Sequence, residues 1–195
     1  RLVAAAAERA AAGDIVTLGI RPTRPETGYG YIEFSESAVC TNDGVYAHGV
    51  SRFVEKPDRQ TAEHYLESGQ FLWNSGMFFF TARRILEEFA RFLPQWHEAL
   101  APVAQAIGTP AYDATLKAAF DAVDGISLDY GIMEPLTTGS GETTVRVIPA
   151  AIGWNDVGHW AALDAFADRT PEDNVVQGDA LILNGSGNVI HAEGA

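Results

Sequence analysis

Apolar and polar positions follow two periods along this chain, and the changes between them predict helices alternating with strands. Residues 2–12 have the pattern of an amphipathic helix that ends at Gly13. The β-branched apolar run that follows, residues 14–20, is short enough to be a buried strand. Residues 31–34 and 45–56 have strand character on either side of a turn-forming TNDG stretch, which predicts a hairpin.

The alternation continues through the middle of the chain. Asp58 is a suitable N-cap for a helix that Gly69 ends, and Thr81 is a suitable N-cap for an amphipathic helix. Between them, an aromatic apolar run predicts a strand that is interrupted by Asn74 and Gly76. The same periodicities then predict two helices within residues 94–123, a strand at residues 143–149 and a helix at residues 159–167.

The pattern changes character near the C-terminus. After residue 170 the β runs become short and are separated by Gly and Asn, with little helix potential. We therefore divide the chain into an α/β body at residues 1–170, with a mixed sheet flanked by helices, and the start of a β-rich unit at residues 171–195.

Composition and charge narrow the class of function. Among 195 residues, 13 Lys and Arg stand against 26 Asp and Glu, a net charge of -13 that opposes binding to nucleic acid or to anionic membranes. No run of apolar residues reaches the length of a membrane span. The single cysteine, Cys40, excludes an internal disulfide and fits a reducing compartment. An anionic substrate would have to be met by a few local cations.

The first candidate site lies where an apolar strand ends in Glu55, Lys56 and Pro57. Open α/β folds bind ligands at the carboxyl ends of their strands. There Lys56 would be a point charge for a phosphate, and Glu55 would accept hydrogen bonds from hydroxyl groups. The alternative is a surface ion pair beside a turn.

Two further candidates come from polar residues and glycines beside apolar runs. Asn74 needs a partner for its amide in an apolar strand, and that partner is either a core group, with a β-bulge at Gly76, or a sugar hydroxyl. Gly28 and Gly30 allow the backbone to approach a ligand closely, or they simply form a turn.

A fourth candidate is Asp156, which lies between two glycines and two tryptophans at a predicted loop-to-helix junction. It is either an N-cap or a hard oxygen ligand for Mg²⁺, and one carboxylate is only half of such a site. Asp129 could lie near a cleft, but its pattern assigns it no role. The five histidines show no metal-ligand spacing, and the chain contains no P-loop motif.

Taken together and in order, five segments resemble the bacterial mannose-1-phosphate guanylyltransferases, or GDP-mannose pyrophosphorylases, of the sugar nucleotidyltransferase family. These segments are GIRPTRPETGYGYI, VSRFVEKPD, FLWNSGMFFF, SLDYGIME and GWNDVGHW. The EKP segment is shared across the wider family, whereas the combination with WNSGMF, SLDYGIME and WNDVG is typical of the mannose branch. The resemblance covers nearly the whole chain.

This resemblance implies an α/β fold with a mixed, mostly parallel sheet, nucleotidyltransferase-like and Rossmann-like, followed by the start of a left-handed β-helix. It also implies a cytoplasmic enzyme that makes GDP-mannose and pyrophosphate from GTP and mannose 1-phosphate, with Mg²⁺ bridging the phosphates. By motif position, Lys56 holds the sugar phosphate, Glu55 and Asn74 contact mannose hydroxyls, and Gly30 offers its backbone N–H. Asp156 resembles one of two metal-binding aspartates.

The chain also departs from the family pattern. Family members begin with a Gly-rich nucleotide loop and supply a second metal-binding aspartate upstream, and neither is found in these 195 residues. We therefore expect a fragment that contacts a sugar phosphate without catalysing the transfer alone, and with sheet edge and apolar surface uncovered. The alternatives are a glucose-1-phosphate nucleotidyltransferase and a non-catalytic sugar-phosphate-binding or regulatory paralogue. The oligomeric state, a homodimer included, stays open, as does a downstream phosphomannose isomerase domain.

Overall fold

The computed structural model describes residues 1–138, 144–158 and 168–192. The chain divides into two compact units, Arg1–Ile152 and Gly153–Ala195. The division that the sequence predicts, at residues 170 and 171, stays a prediction. The helix expected at residues 159–167 lies outside the described residues.

Helices and strands alternate through most of the first unit, as the periodicity predicts. The elements are α1 (Leu2–Ala11), β1 (Ile15–Ile20), β2 (Tyr31–Cys40), β3 (Tyr46–Val54), α2 (Arg59–Ser68), β4 (Phe71–Phe79), α3 (Ala82–Phe92), α4 (Pro94–Ala106), α5 (Tyr112–Asp121), a π-helix (Asp129–Met133), α6 (Glu134–Thr137) and β5 (Val145–Ala150). The α/β class with a mixed sheet and flanking helices is confirmed.

The five strands of the first unit close into a barrel in the order β1-β4-β2-β3-β5. The expectation of a mostly parallel sheet is wrong, because among the described strands of this barrel only β1 and β5 pair in parallel, and the other pairs are antiparallel. The physical reason is the connections: β2 and β3 are joined by a tight turn, which permits only an antiparallel pair, whereas a parallel pair needs a long crossover. Closure also leaves no free edge in this described sheet, contrary to the expected uncovered edge.

The predicted helix boundaries follow from local chemistry and are confirmed. The Asp58 carboxylate accepts a hydrogen bond from the Thr61 backbone N–H at 2.8 Å, and α2 ends at Gly69 with φ of 66°. The Thr81 hydroxyl likewise accepts from the Arg84 backbone N–H at 3.2 Å. These caps fix where the strands β3 and β4 give way to helices.

The core of the first unit lies inside the barrel and beneath the π-helix. Every residue of β1 is buried. Gly19 is needed there because a Cβ atom on it would lie 2.6 Å from Val147 Cγ2 and 2.7 Å from Leu72 Cδ1. Fully or almost fully buried apolar side chains from the strands and the π-helix form the main cluster: Ile15, Ile32, Val50, Phe53, Leu72, Ile132, Met133, Val145 and Val147.

Strand β4 carries a bulge beside β1. Thr17 pairs with Phe78 and Gly19 with Asn74, so β4 has more residues than β1 between these two pairs. Gly76 lies in this bulge with φ of 73°, a backbone conformation that favours glycine. The bulge considered from the sequence is therefore present, and it begins directly after Asn74.

The second unit contains two short parallel strands, β6 (Val175–Gln177) and β7 (Val189–His191). Asn174, which is 1% exposed, donates to the Gly185 carbonyl at 2.9 Å and accepts from the Asn188 backbone N–H at 3.0 Å. These bonds hold together the connection between the strands. The start of a β-helix stays a prediction. Among the described residues of both units, no helix has the length and apolarity to cross a membrane.

Candidate functional site

Three neighbouring strands bring the predicted residues of the first unit to one place. Gly30 precedes β2, Glu55 follows β3, and the two strands pair there through Tyr31 and Val54. On the other side of β2, the Asn74 backbone N–H donates to the Gly30 carbonyl at 2.8 Å. Gly30, Glu55, Lys56 and Asn74 therefore meet at one end of the strands, which we call the strand-end site.

Gly30 lies so close to Glu55 that no other residue fits without a shift. A Cβ atom on Gly30 would lie 2.6 Å from Glu55 Oε2 and 3.3 Å from Asn74 Cβ. Real side chains essentially never approach this closely, so the missing side chain leaves room for the carboxylate. Gly28 differs, because its nearest neighbour would be Glu26 Oε1 at an ordinary 3.5 Å. Of these two glycines, only Gly30 lies too close to a neighbouring group to carry a side chain.

Lys56 follows Glu55 at the point where the strand turns away. Its φ of 48° places its backbone in the left-handed region, which is unfavourable for a residue with a side chain. The backbone N–H of Lys56 donates to the Tyr29 carbonyl at 3.3 Å. Its Nζ lies 3.7 Å from Glu55 Oε1, and the Lys56 side chain is 60% exposed whereas that of Glu55 is 13% exposed. The ion pair therefore joins a largely buried carboxylate to a solvent-accessible ammonium.

The Asn74 amide is held by three groups, two of which come from distant parts of the chain. Its Oδ1 accepts from the Thr17 hydroxyl at 3.2 Å and from the Gly76 backbone N–H at 3.1 Å. Its Nδ2 donates to Asp129 Oδ1 at 3.0 Å. These contacts satisfy the polar group that the sequence places in an apolar strand. They also fix which side of the amide carries the donors.

Three carboxylates, those of Glu55, Asp129 and Glu134, lie near the single ammonium group of Lys56 at this site. Burial raises the pKa of the Glu55 carboxyl, and the nearby charge of Asp129 raises it further, while Lys56 acts to lower it. Burial also raises the pKa of Asp129, against the lowering effect of the hydrogen bond from Asn74. Glu134 adds a third carboxylate, whose Oε1 accepts from the Glu55 backbone N–H at 3.0 Å. Such a site favours a ligand that brings hydroxyl donors.

The loop before β2 packs against Trp73, the residue that precedes Asn74. Tyr29 packs edge-on against Trp73 with 5.2 Å between ring centroids, and the Arg24 guanidinium lies 5.5 Å from the Trp73 ring. Arg24 Nε is 3.1 Å from Glu26 Oε2, and Glu26 Oε1 accepts from the Gly28 backbone N–H at 3.2 Å. Burial acts to raise the pKa of Glu26, but the bonds from Gly28 and Arg24 outweigh it and the pKa is lowered. The loop is thus held by its own contacts, with Gly28 in the turn.

Asp156 lies in the second unit and is exposed, as are the adjacent Val157 and Gly158. A Cβ atom on Gly158 would lie 3.4 Å from Asp156 Oδ2, an ordinary contact. No group of three His, Cys, Asp or Glu residues in the described parts of the chain is arranged to hold a metal ion. The N-cap role of Asp156 concerns a helix outside the described residues, and its action together with Lys56 stays a prediction.

Sequence reasoning assigned no role to three residues of the strand-end site, which are Thr17, Asp129 and Glu134. The sequence marks Asp129 as a candidate without a role, and its bond to Asn74 depends on a contact between segments far apart in the chain. Thr17 and Glu134 gave no signal, because a threonine in a strand and a glutamate at a helix start have ordinary local explanations. Asp129 and Glu134 both belong to the SLDYGIME segment of the family resemblance, which groups them in the sequence without assigning either a role.

Two curated proteins of the same name are similar to this chain over most of its length. A mannose-1-phosphate guanylyltransferase from Salmonella montevideo is 39% identical to this chain over 94% of the chain and 38% of its own length. A protein of the same name from Escherichia coli (strain K12) is 38% identical over 94% of the chain and 37% of its own length. The chain therefore spans less than half the length of these curated relatives.

A solved structure has a similar fold. The crystal structure titled mannose-1-phosphate geranyltransferase from Thermus thermophilus matches with a TM-score of 0.70 and 36% identity, over 91% of this chain and 47% of that one. A family profile described as "Nucleotidyl transferase" matches residues 1–172. Since this match covers most of the chain, the chain belongs to the nucleotidyl transferase family.

Proposed function

We propose that this chain is the sugar-phosphate-binding part of a mannose-1-phosphate guanylyltransferase. The phosphate oxygen of mannose 1-phosphate forms a bond to the α-phosphorus of GTP, the bond from that phosphorus to the pyrophosphate oxygen breaks, and the products are GDP-mannose and pyrophosphate. The observation that carries the proposal is the meeting of Gly30, Glu55, Lys56 and Asn74 at one end of the strands. The names of the similar proteins support this choice of substrates.

The roles of these residues follow from their chemistry. Glu55 offers carboxylate oxygens to sugar hydroxyls from a position that is only 13% exposed, where hydrogen bonds to charge are strong. Asn74 offers an amide donor whose orientation is fixed, and Gly30 offers a backbone N–H. Lys56, which is 60% exposed, reaches towards the phosphate as a point charge. Such a transfer depends on positioning and on charge neutralisation rather than on a covalent nucleophile.

A divalent cation, Mg²⁺ in our proposal, fits the donor chemistry of this chain in part. Asp156 supplies one carboxylate, which is the hard oxygen ligand that Mg²⁺ prefers, and the described residues offer no second and third ligand grouped with it. Proteins often bind Mg²⁺ through one or two carboxylates together with substrate phosphates. When bound, the cation would neutralise phosphate charge.

Isothermal titration calorimetry of the 195-residue chain tests the binding half of this proposal. We expect mannose 1-phosphate to bind and free mannose or inorganic phosphate to bind more weakly, because each fills only one part of the site. Competition with glucose 1-phosphate, which differs at one hydroxyl, separates the mannose enzyme from its glucose alternative. Absence of any heat or displacement with mannose 1-phosphate would overturn the assignment of the strand-end site.

Turnover tests the other half. The product of the complete reading frame that encodes this chain is supplied with GTP, mannose 1-phosphate and Mg²⁺, and GDP-mannose and pyrophosphate are measured. Equal formation of both products is the expected result. Binding without turnover would favour the regulatory, sugar-phosphate-binding alternative. A cytoplasmic location and a homodimer are predictions that this assay leaves as they stand.

A further inference from the structure

The π-helix Asp129–Met133 lies directly beside the strand-end site. The residue that begins it, Asp129, accepts a hydrogen bond from the Asn74 amide at 3.0 Å. The residue that follows it, Glu134, accepts from the Glu55 backbone N–H at 3.0 Å. Two residues proposed to read the sugar are therefore held by carboxylates from the two ends of one π-turn.

The π-turn explains how both carboxylates reach the site. The backbone N–H of Glu134 donates to the carbonyl of Asp129, so these two residues themselves close the five-residue turn. Residues joined in this way lie one turn apart, one above the other. In an α-helix with about 3.6 residues per turn, residues five apart point roughly 140° away from each other. An α-helix at this position would present only one of the two carboxylates to β3 and β4.

We propose that the π-turn is a positioning device and that Asp129 and Glu134 are positioning residues for the sugar-reading groups Asn74 and Glu55. The predicted effect on sugar binding rests on the proposed function, whereas the hydrogen bonds of Asp129 and Glu134 do not. Asp129 fixes the Asn74 amide with Nδ2 towards itself and Oδ1 towards Thr17 and Gly76. Among the described residues, the second N–H of Nδ2 has no partner, so it is the donor that Asn74 offers to a ligand.

Glu134 acts on the backbone rather than on a side chain. Its bond to the Glu55 N–H holds the end of β3 just before the left-handed turn at Lys56. Because that turn is strained, the chain there needs outside contacts to keep its conformation. The Glu134 carboxylate, at the start of α6, supplies one such contact. The Tyr29 carbonyl supplies another by accepting a hydrogen bond from the Lys56 N–H.

The first experiment needs no substrate. Hydrogen exchange of the Asn74 side-chain amide is followed by NMR in the ligand-free 195-residue chain, with the signal assigned by its loss in Asn74→Ala. We expect one protected Nδ2 proton in the native chain, roughly tenfold or more faster exchange in Asp129→Ala, and rescue in Asp129→Asn, which keeps the acceptor oxygen. Unchanged exchange in Asp129→Ala would overturn the inference whether or not a sugar phosphate binds.

The second experiment measures the consequence. In the complete-reading-frame product, Asp129→Ala and Glu134→Ala should each raise KM for mannose 1-phosphate by roughly ten- to a hundredfold, as loss of a hydrogen bond to a charged group does, and leave KM for GTP within about twofold. The variants Asp129→Asn and Glu134→Gln should recover most of the affinity, and the exposed Glu67→Ala is the control.

These outcomes separate the possible failures. If the isosteric variants lose as much as the alanine variants, the carboxylates act by charge or by touching substrate, and the positioning inference falls. If exchange behaves as expected while the native protein binds no mannose 1-phosphate, the proposed function falls and the positioning of Asn74 stands. Deletion of Tyr130, which is 49% exposed within the π-turn, should mimic both alanine variants at once.

Discussion

The two halves of the strand-end site are built differently. On the side that we propose binds the sugar, the Asn74 amide makes hydrogen bonds to three other residues, and the Glu55 carboxylate fills the space that Gly30 leaves. On the side that we propose binds the phosphate, Lys56 extends into solvent with its side chain 60% exposed. Shape and hydrogen-bond direction are therefore set by the protein's own contacts, whereas the charge of Lys56 remains able to follow the phosphate group that we propose it binds.

The largest effect should come from the phosphate side. We expect Lys56→Ala to lower kcat/KM by about a hundredfold or more, since it removes charge that neutralises the reacting phosphate. Steady-state kinetics of the complete-reading-frame product measures this loss. Lys117→Ala is the matched control, because Lys117 is also an exposed lysine and it pairs with Asp121 on α5. Equal losses in the two variants would mean that Lys56 has no special role.

The second largest effect should come from adding a side chain at Gly30, next to the Glu55 carboxylate. A Cβ atom in Gly30→Ala would lie 2.6 Å from Glu55 Oε2 if nothing moved, so the Glu55 carboxylate must shift away from its place in the site, and we expect roughly ten- to a hundredfold weaker binding of mannose 1-phosphate. Calorimetry measures the change. Gly28→Ala controls for the loss of a glycine in the same loop, because its Cβ would meet only ordinary contacts. If Gly28→Ala is as damaging as Gly30→Ala, the loop and not the carboxylate governs binding.

A glycine at position 56 should raise the stability of the chain while it weakens binding. Lys56→Gly relieves a left-handed backbone conformation, so we expect the free energy of unfolding to rise by about 1 kcal/mol while binding is lost. Urea titration followed by tryptophan fluorescence measures the stability. Lys56→Ala is the comparison, since alanine keeps the strain. A glycine variant that is less stable than the alanine variant would contradict strain at this position.

The smallest effect concerns pH. The pKa of the Asp129 carboxyl is raised in the folded chain above its ordinary value of 3.8. At pH values between 3.8 and the raised pKa, this carboxyl is therefore more protonated in the folded state than in the unfolded state. Stability therefore falls across that window. Asp129→Asn cannot titrate, so its free energy of unfolding relative to the native chain should be higher at about pH 7 than at about pH 4. Denaturation at both pH values measures this, and an unchanged difference would contradict it.

Much of the fold was predictable because it rests on local rules. Asp58, Gly69 and Thr81 indicate their helix boundaries through side chains that act within a few residues or through a left-handed glycine. The direction of strand pairing was not predictable in this way. Ile15 pairs with Val145 in parallel while its neighbour β4 runs the other way, and no local pattern states which partner a buried strand will choose.

In the candidate site too, some residues were predictable from the sequence and others were not. The family resemblance drew attention to Glu55, Lys56 and Asn74, and the structure brings these residues together, although their contacts with a sugar phosphate stay predictions. The partners that orient them are Thr17, Asp129 and Glu134, and each reaches its target across the tertiary fold. Hydrogen bonds between distant segments have no periodicity, so a single sequence cannot show them.

Closure of the barrel has a consequence for the order of events during synthesis. The last seam joins β1 to β5, which lie near opposite ends of the first unit. Until β5 has left the ribosome, β1 and β3 each lack a neighbour and present open backbone groups to other nascent chains. The first unit should therefore be most vulnerable to misassembly between the emergence of β1 and that of β5, and a pause in translation after β5 should protect it more than a pause before β5.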